Sequence, residues 1–268
     1  MNCKNCNTAL SNLINYCPEC GAKIIKKRLT FRNISAEINE QFFNIDNKFL
    51  QTFIHLFSQP EGVINGFIDG TRKKYVNVIQ YFAISLTLVG IQVFLMNTFF
   101  KEAMELDPNM FNPLGIDPES QKNNPFNSLQ FEDYNNYQSV IYVLSVPFSA
   151  ISTWLAYWVV GVRHYNFTEH LVINLYYSAQ VIIINAFITI VLLCFDVDFM
   201  LISVITSIFI FAYFFYVLKR VFKTSFLISL AYFLIVMVGY GFIFIVLMIV
   251  LGILAFIVMY ILKKSGII

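Results

Sequence analysis

Cys3 and Cys6, a gap of ten residues, then Cys17 and Cys20 give two Cys-x-x-Cys pairs at the very start of a 268-residue chain. Thiolate is a soft ligand, and two such pairs brought together close a tetrahedral four-sulfur cage that zinc stabilises outright. Iron would suit the same sulfurs, but with no other redox motif in the chain zinc is the default cofactor. Gly21 lets the backbone fold round the second pair, and Pro18 stiffens it. Four protein ligands leave no open position for a substrate water, so the expected metal is structural. Its expected role is either to present a surface to a protein partner or to cap the N-terminus. Free thiolates also need a reducing compartment, which would put this end of the chain in the cytoplasm.

A second concentration of reactive types is Arg163, His164, Glu169 and His170, which gathers two of the three histidines within eight residues. A metal or acid–base site is the sharp reading of this cluster. Against it, neighbours on a helix point about 100° apart, so Glu169 and His170 cannot comfortably share one ion. The plainer reading has Thr168 capping a helix, with Glu169 in its first turn favoured by the helix dipole. A third group, Asn174, Ser178, Asn185 and Thr189, falls within about 60° on a helical wheel. Such a polar face either lines a solute path or joins helices by hydrogen bonds, and joining is the commoner use. Gln80, Ser85 and Gln92 are its expected partners, and Gln180 points elsewhere. His55 reads as a packed or interfacial histidine, and Cys194 as a small buried hydrophobe.

The elements that must carry these residues are mostly membrane helices. Hydrophobic residues make up 58% of the chain against 13% charged, with a mean hydropathy of +0.67. No soluble core hides that much apolar surface, so lipid must. Residues 1–27 form the zinc ribbon and 28–77 the juxtamembrane helices. Ile38, Phe42, Ile45, Phe49, Phe53 and Leu56 recur at three- or four-residue steps, opposite Glu40, Asn44, Asn47 and Gln51. That pattern predicts an amphipathic helix of roughly six turns from Ser35, lying in the headgroup layer or packed on the bundle. Pro60 starts a short second helix that Gly70 ends.

Residues 78–268 form the transmembrane domain, with spans at about 78–100, 140–161, 171–195 and 199–218. The last apolar block, 226–262, is too long for one crossing, and Gly239 and Gly241 could turn a hairpin between spans at 225–239 and 242–262. The expected fold is thus an all-α helical bundle of six spans, with five as the alternative. The loop 101–139 is acidic, rich in Asn and Pro, and expected to have little regular structure.

Charge sets the orientation. Residues 1–77 carry ten Lys/Arg against six Asp/Glu, whereas 101–139 carry two against seven. Arg72, Lys73, Lys74, Arg163, Lys219, Arg220 and Lys223 flank alternate span ends; Glu102, Glu105, Asp107, Asp196 and Asp198 flank the others. This predicts a multi-pass protein of the bacterial inner membrane with a cytoplasmic N-terminus, and no nucleic-acid partner. The start is polar and cysteine-rich, so the first span is expected to act as its own insertion signal. No span interior carries Asp, Glu, Lys, Arg or His, which argues against proton-coupled carriers and intramembrane metalloenzymes.

With those residues in view, the chain resembles a bacterial family of multi-span membrane proteins described only as a domain of unknown function, DUF3667. The likeness rests on Cys17-Pro18-Glu19-Cys20-Gly21 after the first cysteine pair, and on Arg28-Leu29-Thr30 before the amphipathic helix. Gly70-Thr71-Arg72-Lys73-Lys74-Tyr75 before span one and Tyr165-Asn166-Phe167-Thr168-Glu169-His170-Leu171 at span three complete it. The resemblance implies a zinc ribbon, juxtamembrane helices and a helical bundle, and no activity. The function expected is a non-enzymatic membrane protein whose ribbon and amphipathic helix bind a protein partner or organise lipid. A homo-oligomer is compatible with it. A solute-permeation protein with a path along span three is the first alternative, and a membrane-embedded lipid enzyme using Glu169 and His170 the second.

Overall fold

The computed structural model describes residues 2–11, 14–22, 24, 30, 48–101, 103 and 131–264. Those residues hold seven helices and no strand, beyond one isolated antiparallel bridge between Asn2 and Ala9. The chain divides into two compact units, residues 1–48 and 49–268. The first is built round the cysteines and is taken up with the site below. The first half of the expected amphipathic helix, Arg28 and Leu29 of the Arg28–Thr30 motif, and most of the acidic loop lie outside the described residues.

The second unit begins with α1, described over residues 48–58, and α2, Pro60–Ile68. Pro60 is suited to the first position of α2, where its missing N–H would find no partner in any case. Five longer helices follow: α3 (Val78–Phe99), α4 (Phe131–Val159), α5 (Phe167–Cys194), α6 (Phe199–Phe222) and α7 (Phe226–Lys264). All five are long and apolar enough to cross a membrane. Side chains not singled out as caps in the sequence close the starts of α3 and α6. Asn77 accepts from the Ile79 amide, and Asp198 from those of Met200 and Leu201. α4 begins nine residues earlier than expected, so the end of the supposed loop is helical. Cys194, expected to be buried, is exposed at the end of α5 where the chain turns into α6.

α5 is the hub, packed against α2, α3, α4 and α6. More than half of its apolar window (56%) is buried, against 6% for α7, so α7 lies at the edge of the bundle. The core between them is unusually aromatic. Tyr81, Tyr157, Tyr176 and Phe214 are among its largest fully buried side chains.

α7 overturns the expected hairpin. The helix runs unbroken through Gly239 and Gly241 for 39 residues, roughly 58 Å, so among the described residues five helices, not six, are long and apolar enough to cross a membrane. A turn inside this apolar run would strand backbone groups among hydrocarbon, whereas each glycine kept in a helix costs only about 1 kcal/mol. Gly239 has a packing role instead. A Cβ there would lie 2.9 Å from Ser152 Oγ, and that hydroxyl donates to the Val236 carbonyl at 3.1 Å. The missing side chain lets α4 and α7 approach closely, as small residues do between membrane helices. Gly239→Leu is therefore expected to push α7 from α4 and destabilise the bundle by about 2 kcal/mol, the usual scale of overpacking. Gly241→Leu, where a Cβ meets nothing within 4 Å, should be near neutral in the same detergent-unfolding titration.

Candidate functional site

Each Cys-x-x-Cys pair closes the same backbone knuckle. The Cys3 carbonyl accepts from the Asn7 amide at 2.8 Å, and the Cys3 amide donates to the Thr8 carbonyl at 2.9 Å. The second pair repeats this, from Gly21 to Cys17 at 2.9 Å and from Cys17 to Ala22 at 2.9 Å. Both knuckles end in a left-handed residue, Asn7 at φ 61° and Gly21 at φ 69°, types that tolerate that region. Gly21 was legible alone. The equivalence of Asn7 was missed, though it follows Cys6 as Gly21 follows Cys20.

The four Sγ atoms lie within 4.8 Å of one another, with Cys3–Cys20 at 3.6 Å and Cys6–Cys17 at 3.5 Å. A disulfide would need about 2.05 Å. Four sulfurs at about 2.3 Å from one ion are about 3.8 Å apart, so these fit a metal. Cys3 and Cys17 are buried and Cys6 and Cys20 exposed, so each knuckle offers one inner and one outer ligand. The Asn5 side chain and the Ala22 amide pull the Cys20 thiol down to about 6, and Thr8 lowers Cys6. The Cys20 backbone acts to lower Cys17, but burial and the thiols of Cys6 and Cys20 leave it at about 11. Crowded thiols thus keep some protons, which a cation would displace. Among the described residues these four cysteines are the one group of three or more His, Cys, Asp or Glu placed to hold an ion.

The second candidate cluster is not assembled. Asn166, not Thr168, is the N-cap of α5. Its side chain accepts from the Glu169 amide at 3.0 Å while Glu169 accepts from the Asn166 amide at 2.7 Å. This reciprocal box occupies Glu169 with backbone. Thr168 falls two residues too far along to cap. Arg163 sits over the Trp158 ring at 5.3 Å, and His164 is exposed against Tyr165. His170 faces inward, its Nδ1 3.2 Å from Thr153 Oγ1 and its ring among Tyr157, Tyr165 and Phe222.

The polar face of α5 joins helices at one of its four positions. Asn174 is fully buried, donates to Thr153 Oγ1 at 2.9 Å and to the His170 carbonyl at 2.8 Å, and accepts from Ser149. Ser149 also meets the Tyr240 hydroxyl. Thus His170, Thr153, Asn174, Ser149 and Tyr240 form one chain across α5, α4 and α7. The expected partners on α3 were wrong. Gln80 is exposed, Ser85 bonds to the Phe82 carbonyl, and Gln92 reaches only Met96. Ser178 and Asn185 are half-buried and make no side-chain hydrogen bond among the described residues; Thr189 is buried. Gln180, set apart from the stripe, donates to the Phe53 carbonyl and accepts from Tyr81.

A further polar set was not anticipated. A helix end leaves its last carbonyls without partners, and α6 supplies them for α1. Tyr213 donates to the Leu56 carbonyl at 3.0 Å, and Tyr216 to those of Phe57 and Ser58 at 2.8 and 3.2 Å. One turn on, Arg220 pairs with Glu61 of α2 through two hydrogen bonds. Tyr165 donates to Asn65 at 3.0 Å; its phenol is held up by burial and by Asp69 and Glu169, so it keeps its proton. His55 meets the Tyr75 hydroxyl at 2.8 Å, as a packed histidine would. The described part of the amphipathic helix is therefore bound to the bundle and does not stand apart from it.

A five-helix apolar bundle with two docked flanking helices, together with a four-cysteine N-terminal unit, defines the class: an all-helical chain compatible with a multi-pass membrane protein, with a knuckle pair whose sulfurs are close enough to hold a metal. Residues 46–90 match the model of a family described as a protein of unknown function, DUF3667. The match covers α1, α2, the Gly70–Tyr75 link and the first half of α3, so of the four motifs behind the resemblance it contains one. No curated protein matches the chain, and no solved structure does.

Proposed function

We propose that this is a non-enzymatic integral membrane protein whose N-terminal unit holds structural zinc and docks a protein partner on the cytoplasmic side. The reading is carried by the closed four-sulfur constellation: two matched knuckles spend every ligand on the ion and leave none for a substrate. Charge supports the orientation. Arg72, Lys74, Arg163, Lys219, Arg220 and Lys223 flank the start of α3, the start of α5 and the end of α6, whereas Asp196 and Asp198 flank the opposite turn. With five crossings and a cytoplasmic N-terminus, α7 ends outside, and Lys263 and Lys264 are the exception to that bias. The permeation reading draws little support from Asn174, whose polar atoms are bound to other helices. The enzyme reading loses Glu169 to its capping box.

Tyr16, 58% exposed beside Cys17, is the natural aromatic anchor for a partner. Tyr16→Ala is expected to leave zinc content unchanged and reduce in-membrane cross-linking to the partner at least tenfold. Full cross-linking by Tyr16→Ala and by a cysteine-free variant alike would reject the docking role.

A further inference from the structure

Between α1, α3 and α5 lies a cavity of about 550 Å³, within the range of about 300–1,000 Å³ usual for ligand pockets. Its walls are apolar (Phe53, Leu88, Ile91, Ile183 and Phe187 among them) with one exception, Gln92. That residue is 4% exposed, and its side-chain Oε1 has no hydrogen-bond partner. A buried amide oxygen left unpaired costs about 1–3 kcal/mol. Asn97 and Gln138 also hold unpaired oxygens, but neither lines this cavity. On the membrane reading above, Gln92 lies 14 residues into α3, roughly 21 Å along a hydrocarbon layer of about 30 Å. Leu50, Ile91 and Phe187 at the rim are exposed, so the cavity opens sideways to whatever surrounds the bundle.

We infer that this cavity binds a neutral long-chain lipid bearing a free hydroxyl, of the diacylglycerol or long-chain-alcohol kind, with the hydroxyl on Gln92. The chain suits the walls. Oε1 is itself shielded from the cavity, so the hydroxyl engages the amide through a turn of the Gln92 side chain, and as both donor and acceptor it satisfies that end in either orientation. A phosphate headgroup does not fit, because none of the described residues lining the cavity is basic and an unpaired charge there would be prohibitively desolvated.

The test uses the purified full-length protein in nanodiscs, with a long-chain alcohol carrying a chain diazirine as the probe. Cross-links are expected at cavity residues such as Leu88, Ile91 and Ile183. Unlabelled alcohol or dioleoylglycerol should compete about fivefold better than the corresponding methyl ether, the value of one hydrogen bond. Gln92→Leu should erase that preference while the ether still binds, and Leu88→Trp, which fills the space, should remove both. Equal competition by alcohol and ether in the native protein would overturn the proposal. So would labelling spread along the open face of α7, or better competition by phosphatidylglycerol. Failure of zinc-dependent partner docking would leave this result untouched, so the two readings fail separately.

Discussion

Stripping the metal from the full-length protein is expected to unfold residues 1–24 and leave the helical bundle intact. Among the described residues, the buried apolar set of the N-terminal unit is Cys3, Leu10 and Cys17, with Ile14 and Ile24 packed beside it. A buried leucine contributes about 1.5–3 kcal/mol, far less than the entropy of ordering some twenty residues at about 1–2 kcal/mol each. Structural zinc in comparable small sites contributes about 10–16 kcal/mol, and units of this size seldom fold without such help. A strong chelator, or Cys3→Ser with Cys17→Ser, should thus convert the segment to one cleaved by protease at least a hundredfold faster. The thermal transition of the bundle should move by less than about 2 °C, because the described core of the bundle is built from residues 49 onwards. Metal analysis on the same samples should give about one zinc per chain before treatment and none after. A stripped protein whose N-terminus resists protease as before would show that the knuckles fold on their backbone hydrogen bonds alone.

How far sequence reached depended on whether a feature is local. Cysteine spacing, the starts of α2, α3 and α6, and the membrane character of the five long helices follow from periods and caps within one segment. So does the amphipathic face of α1, visible as Phe49, Phe53 and Leu56. The N-cap of α5 was misplaced by two residues because Asn166 and Thr168 are both capping types. Only the position of Glu169 three residues after Asn166 separates them, and that signal was present. The two glycines of α7 illustrate the opposite limit. A hairpin and a close helix crossing both call for glycine, and the sequence near Gly239 does not contain Ser152, which decides between them. The partners of Asn174 and of the α1 carbonyls are likewise set by which helices pack together. Tyr213, Tyr216 and Arg220 do share one face at steps of three and four, a polar stripe in an apolar helix that should have drawn notice.

That dependence on neighbours makes Asn174 the position where a single change in the bundle should matter most. Its amide donates to Thr153 on α4 and to the carbonyl of His170, and accepts from Ser149, which passes the link to Tyr240 on α7. Asn174→Leu keeps the volume but removes three hydrogen bonds at a site with no exposure. Bonds between membrane helices contribute about 0.6 kcal/mol on average and up to about 1.7, so a loss of roughly 2–3 kcal/mol is expected. Asn185→Leu, two polar positions further along the same face, should change stability by less than about 0.5 kcal/mol, since its side chain makes no hydrogen bond among the described residues. Unfolding by denaturing detergent, or steric trapping of a doubly tagged protein in bicelles, measures both. A double-mutant cycle with Ser149→Ala should return a coupling near 1 kcal/mol, because removing either member breaks the same contact. The position of α7 offers an independent readout. It has little buried surface, so this chain, the Gly239 crossing and the Tyr157–Tyr232 ring contact hold it to α4. A cysteine cross-link between α4 and α7 should form more slowly in Asn174→Leu than in Asn185→Leu. Equal stabilities and equal cross-linking for the two variants would mean that polarity on this face of α5 serves something other than holding helices together.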